Sequence, residues 1–288
     1  MVAKADVLGE RAFRITSDSI PSDGGVRPVT RRIVLLAMAF ALTAAASGPD
    51  EDDWKKGIRH FSAEDFRAAQ DAFQRAVEQN PENSTYSLWL ALAMGRRAER
   101  MTGFRKLAAA PLVRRMRRVL ERSIELDESN LDAHDALQAF HLQAPSIVGG
   151  KKAEAKEIAS RIQAINAARG AEAFGTYYEA VGEFDRADVQ FGEARKLNPE
   201  GMRPLLKYAG FLARRGRHAE SDDLFDLAFA RDSEDPKVWR AAAMAWVLAK
   251  RKSRYPEARE LIERYLQAPD REPNPDPKSE VRDLLKKL

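Results

Sequence analysis

Four residues near the middle of the chain, Asp132, His134, Asp135 and His141, have side chains able to bind a metal or move a proton. His134 and His141 are seven apart, so on a helix they share a face. A metal site there needs a further ligand from another element, and nothing in the sequence marks one. A plainer reading accounts for all four. Asp132 and Asp135 fall in a first helical turn, where negative charge is favoured, and His141 takes a core-facing position. Just downstream, Pro145-Ser146-Ile147-Val148-Gly149-Gly150-Lys151-Lys152 imitates a phosphate-binding loop. The first glycine of that motif, the Ser/Thr after the lysine and the preceding strand are missing. Pro145 instead ends one helix, and the glycine pair resets the chain before the next. Glu64, Glu179, Glu193, Asp222, Asp223 and Asp226 are read on helices beside Arg or Lys, as solvated faces are. No Ser/His/Asp set has an elbow context. The chain has no cysteine, which excludes disulfides, thiolate metal sites and a Cys nucleophile. We assign no catalytic, cofactor-binding or metal residue.

The elements that position these side chains are helical. Of 288 residues 32% are charged and Gly and Pro are few, a mix rich in helix formers. No segment alternates apolar and polar residues for long, so strands are not expected. Between Ala168 and Ser233 one pattern occurs twice at a spacing of 34 residues: Gly182, Phe184, Ala187, Phe191 and Ala194 align with Gly216, His218, Ser221, Phe225 and Ala228. Ala187, Phe191 and Ala194 form one stripe of a helix. Small residues at its ends admit a neighbouring helix, and the Phe fills the space between. Gly182 and Gly216 fall where one helix stops and the chain turns, which favours a residue free to take positive φ. Such a hairpin cannot bury its own apolar face, so several must stack.

Gly175, Tyr178, Gly182, Ala187, Phe191, Ala194 and Pro199 resemble the tetratricopeptide-repeat (TPR) signature residue by residue. The resemblance implies an all-α, right-handed α-solenoid of helix-turn-helix units. Gly57, Phe66, Ala69, Phe73, Ala76 and Pro81 give a further match. A second unit starts near Ser84 and a third at Leu131. The second carries an insertion over Met101 to Pro111, and the third is interrupted over Ala144 to Gly150. A looser sixth holds Trp239, Ala242, Trp246, Ala258, Ile262 and Tyr265. The solenoid is expected over 50–268, a Pro-rich linker over 269–277, and a capping helix over 278–288 whose Val281, Leu284, Leu285 and Leu288 cover the open end. The order of features in units two and three, with Glu125-Leu126-Asp127 and then Gln143 to Gly150, also resembles exported bacterial TPR proteins.

Ahead of the repeats, residues 1–30 read as a disordered extension and 31–48 as a signal peptide. Arg31 and Arg32 precede the apolar run Ile33 to Ala46, with Ala44 and Ala46 at the exit and acidic residues beyond. Residues 1–46 hold six basic and four acidic groups, so the rest of the chain carries 42 basic and 40 acidic ones and its charge says little about partners.

In the family the first helix of each unit lines a concave groove. By that register Trp89, Leu92, Arg96, Glu172, Thr176, Arg203, Lys207 and Arg240 face it, which suits an extended or helical peptide bearing acidic groups. Asn is absent from the places where a carboxylate clamp would need it, which argues against chaperone-tail recognition. A basic patch, Arg114, Arg115, Arg118 and Arg122, puts Arg114, Arg118 and Arg122 on one helical face, open to an acidic protein or an anionic membrane surface. Nucleic acid is disfavoured, because the interleaved aromatics expected for single strands are absent apart from Phe104. The function expected is an exported, non-catalytic protein-interaction scaffold in the periplasm or envelope. Two alternatives stay open: an enzyme with its site at the third-repeat loop and His134 or His141, and a cytoplasmic scaffold in which the apolar run is a packing helix.

Overall fold

The computed structural model describes residues 48–101, 105–269 and 278–288. The expected disordered extension, the expected signal peptide but for Gly48, and nearly all of the Pro-rich link lie outside these residues. The described chain is a series of helical hairpins: α1 (Pro49–Ser62) with α2 (Phe66–Gln79), α3 (Ser84–Glu99) with α4 (Arg105–Leu126), α5 (Leu131–Gln143) with α6 (Lys152–Ile165). Then follow α7 (Ala167–Val181) with α8 (Phe184–Leu197), α9 (Met202–Arg214) with α10 (His218–Arg231), and α11 (Pro236–Leu248) with α12 (Tyr255–Gln267). A short α13 (Lys278–Leu284) comes last. The six pairs are the six expected units, and the described residues contain no strand.

The starts of four of the six first helices are set by side-chain oxygens. Asn83, Asn130 and Asn166 accept from the amides of Tyr86, Ala133 and Arg169, and Asp235 from that of Lys237. Each fills one of the donors a helix start leaves open, worth about 1 kcal/mol. Inside, the small–large–small stripe is the core. Ala69, Phe73 and Ala76, then Ala187, Phe191 and Ala194, then Ser221, Phe225 and Ala228 are all buried. The first helix makes room for the ring: a Cβ added at Gly57 would stand 2.4 Å from the Phe73 ring, and one at Gly175 would stand 2.9 Å from Phe191.

The turn between the two helices of a unit passes through the left-handed region, at Gly182 (φ 84°) and Gly216 (φ 77°). Units one and six place Glu64 (φ 61°) and Lys250 (φ 56°) at the same repeat position, without the freedom of glycine. Glu64 therefore sits in a turn, where the sequence reading put it on a helix. The second unit also differs from expectation. Residues 105–111 are not an insertion between helices but the opening of a 22-residue α4, with Pro111 inside it. Pro111 donates no hydrogen bond to the turn before it, a loss the rest of a long helix outweighs. In unit three the interruption is a 3-10 turn, Ser146–Val148, closed by Gly149 at φ 104°. Gly150 is obligatory there, because a Cβ would meet the Ala144 carbonyl oxygen at 1.8 Å.

Val281 and Leu284 of α13 are buried in the C-terminal core with Trp239, Trp246 and Ile262, and Leu285 and Leu288 pack against it. Among the described residues no helix is long and apolar enough to cross a membrane.

Candidate functional site

A ladder of charges runs across the first helices of units three to five. Arg169 on α7 reaches back to α5, bonding Asp132 at 3.0 Å and Asp135. Arg203 on α9 donates from Nε to Glu172 at 2.7 Å and from Nη2 to Asp135 at 2.6 Å. Arg214, about three helix turns further along α9, holds Glu179 of α7 through two bonds of 2.7 and 2.8 Å. Each arginine thus ties its helix to the first helix of a preceding unit, in the paired geometry that suits guanidinium and carboxylate.

Lys207 stands inside this ladder, between Arg203 and Arg214 in sequence, and makes no hydrogen bond or ion pair with the described residues. Its side chain is solvent-exposed. Neighbouring protein nonetheless withdraws part of its hydration. That desolvation, with the positive Arg203 next, pushes its ammonium below the ordinary lysine value, while Asp135 and Glu172 oppose the shift.

The other predicted groove residues divide. Trp89 does not face the groove. It is buried, edge-on to Phe61 at 5.3 Å and beside Phe73 at 5.9 Å, and so belongs to the core joining units one and two. An aromatic of that area gains more by filling the gap between hairpins than by facing water. Leu92 is half-buried between two core clusters. Glu172 is also buried, its side chain 4% exposed, and its role is to hold Arg203 rather than to meet a partner. Thr176 is half-buried and donates to the Glu172 carbonyl at 2.9 Å. Arg203 and Lys207 are exposed and Arg240 half-buried. Arg96 engages Glu99 at 3.0 Å and Glu280 at 2.6 Å.

The basic patch on α4 is exposed at Arg114, Arg115, Arg118 and Arg122. Arg115 bonds Gln74 at 2.7 Å, and Arg122 pairs with Glu82 at 3.3 Å and Glu125 at 3.5 Å. Arg114 leans toward the third-unit loop, 3.4 Å from the carbonyl of Ile147, whose side chain is 80% exposed. Arg118 makes no such contact among the described residues. His134 is buried with Nε2 at 3.0 Å from the Glu128 carbonyl. His141 is buried too, and burial pushes its imidazolium below the ordinary value. The two rings are bound into the core, and among the described residues no group of three or more His, Asp or Glu could hold a metal ion. Sequence reasoning missed the arginine ladder. Its signal was available as Arg169, Arg203 and the acids one or two units before them.

Two segments, 55–112 and 172–236, match the family model described as a tetratricopeptide repeat. No curated protein matches the chain. Among solved structures, a thermophilic TPR protein of Thermus thermophilus is 17% identical, with a TM-score of 0.50 over 73% of this chain and 99% of that one. YrrB, described as a TPR protein with an unusual peptide-binding site, is 18% identical, with a TM-score of 0.36 over 76% of this chain and 100% of its own. The pilF protein of Pseudomonas aeruginosa is 12% identical, with a TM-score of 0.45 over 83% and 98% of the two chains. With repeats matched over 55–112 and 172–236 and helical hairpins stacked in space, this chain carries tetratricopeptide repeats in an α-solenoid, a fold that suggests a protein-interaction scaffold.

Proposed function

We propose that the chain is a non-catalytic scaffold that works in the cell envelope and holds an acidic protein segment on the concave side of α5, α7 and α9. The observation that carries this reading is Lys207. Three arginines around it are already matched by carboxylates of the same chain, while this lysine is exposed and makes no hydrogen bond or ion pair with the described residues. A carboxylate from a partner completes it without displacing an internal pair. Arg203 neighbours the position, and by the repeat register Thr176 and Arg240 fall on the same side. The export part rests on Arg31, Arg32, the apolar run and its small-residue exit.

The test is photo-crosslinking in cells from position Thr176, followed by mass spectrometry, with cell fractionation alongside. The expected result is a small set of envelope proteins whose crosslinked peptides carry Asp or Glu. Lys207→Glu should lower that yield by roughly tenfold or more, the worth of one charge-assisted bond. An unchanged yield would remove Lys207 from the site, and recovery of the chain in the cytosol would remove the export reading.

A second surface has one specific observation behind it. The exposed Ile147, on a turn closed by Gly149 at positive φ, stands beside Arg114, whose Nη2 lies 3.4 Å from the Ile147 carbonyl. An apolar tip rimmed by cations suits an anionic membrane surface. Flotation with vesicles containing anionic lipid should retain the chain, and Ile147→Asp should release it.

A further inference from the structure

The helix α13 has two faces with different attachments. Val281 and Leu284 are buried in the core of units five and six, and Lys278 Nζ donates to the Ala268 carbonyl at 2.6 Å. The first residues of the same helix meet the opposite end of the chain. Ser279 N–H donates to Glu64 Oε1 at 2.7 Å, Arg100 Nη2 reaches Ser279 Oγ at 3.2 Å, and Arg96 Nη1 bonds Glu280 Oε1 at 2.6 Å. These contacts join residues separated by 179 to 215 positions. The N-terminal side of the joint is itself built for the purpose. Arg100 also bonds the Glu64 carboxylate and, at 3.0 Å, the Glu64 carbonyl, and lies over the Phe66 ring at 4.5 Å. Glu64 occupies the left-handed turn position that units four and five give to glycine. A side chain kept where the backbone prefers none points to a use for that side chain. Burial raises the Glu64 carboxyl, but the bonds from Ser279 and Arg100 outweigh it and hold it below the ordinary carboxylate value.

We propose that α13 is a latch: it is permanently packed on the last units through its apolar face and is reversibly clipped to units one and two through Ser279 and Glu280, closing the solenoid end to end. A solenoid's curvature is the sum of small rotations between neighbours, so a contact between its first and last units fixes that sum. The clip is polar and partly exposed, with Glu280 45% and Arg100 48% exposed at the side chain, whereas the attachment to the C-terminal core is apolar. Opening therefore occurs at the Glu64–Arg96–Arg100 side. Salt weakens the clip and leaves the packed face unchanged.

The absence of cysteine from the chain makes the test direct. Arg67→Cys and Arg282→Cys, both exposed, carry spin labels on the full chain, and pulsed dipolar spectroscopy reads the distance between them. The expected result is one narrow distribution at low salt. Glu280→Arg should cut the closed population roughly fivefold, as befits a partly exposed ion pair, and the exchange Arg96→Glu with Glu280→Arg should restore much of it. Far-ultraviolet dichroism shows whether each variant keeps its helices. A distribution that does not change with Glu280→Arg and 1 M salt would overturn the latch. So would an exchanged pair as open as the single variant, or a wild-type chain that is already broad at low salt.

Discussion

Removing the guanidinium of Arg203 tests whether the arginines of the concave face are committed to the fold. In Arg203→Ala, Asp135 keeps Arg169, but Glu172 loses the Nε bond at 2.7 Å that pairs its buried carboxylate. An ionised group left buried and unpaired costs about 3–5 kcal/mol. Arg203 is 43% exposed, so water enters the space it vacates and reduces this to about 2 kcal/mol. For a fold of this size that is a fall in melting temperature of about 4–8 °C. The assay is urea unfolding followed by helix dichroism, for wild type, Arg203→Ala, Glu172→Gln and the double variant. Because Gln leaves no charge to strand, the double variant should recover at least about 1 kcal/mol relative to the sum of the singles. Lys207→Ala, which unmakes no pair, should stay within about 0.5 kcal/mol of wild type. Either of two results would refute the reasoning: Arg203→Ala as stable as wild type, or strict additivity of the pair. Both would mean that Glu172 is satisfied without Arg203.

Gly57→Ala places a methyl 2.4 Å from the Phe73 ring, so the gain of about 1 kcal/mol in helix propensity should be outweighed by overpacking of about 1–3 kcal/mol, read as a lower urea midpoint. At Asp222, burial raises the carboxyl, but bonds from Arg251 at 2.8 Å and Arg254 at 3.2 Å outweigh it and hold the group below the ordinary carboxylate value. A carboxyl that binds its proton less readily when folded stabilises the native state at neutral pH, and that contribution disappears as pH falls through its folded value. The gap in urea midpoint between wild type and Asp222→Asn should therefore be largest near pH 7 and shrink toward pH 3.

The parts of the fold that could be read in the sequence are those built from neighbours along the chain. Ala187, Phe191 and Ala194 show their stripe within eight residues, and Gly182 and Gly216 mark turns that lie in the left-handed region as expected. Glu64 and Lys250 occupy the same repeat position but give no local sign of it, since neither is a residue that favours positive φ. Met101 to Pro111 read as an insertion because Pro111 signals a break, yet α4 runs through it. Trp89 fell on the groove side by register, but the register does not know that Phe61 and Phe73 leave a gap of its size. The α13 clip was beyond reach for a different reason. Contacts across 184 and 215 residues leave no period behind, and three polar side chains on the surface look like any others.

On the proposed reading, the charge ladder is what would let a nearly neutral solenoid choose a partner. On the concave side successive first helices come close enough for Arg203 to touch both α7 and α5. Opposed charges there set the register between units, a task the Ala–Phe–Ala stripes cannot perform alone, because small apolar residues tolerate sliding. A groove whose cations were all matched would offer a partner only exchange, breaking one internal pair for each new one, with little net gain. Lys207 is exposed in the same ladder and makes no hydrogen bond or ion pair with a carboxylate of the described residues, although Asp135 and Glu172 act on it electrostatically. An incoming acid there gains a pair and breaks none. Selectivity should therefore depend on the spacing between that acid and the partner groups that meet Thr176 and Arg240, rather than on the overall charge of the partner.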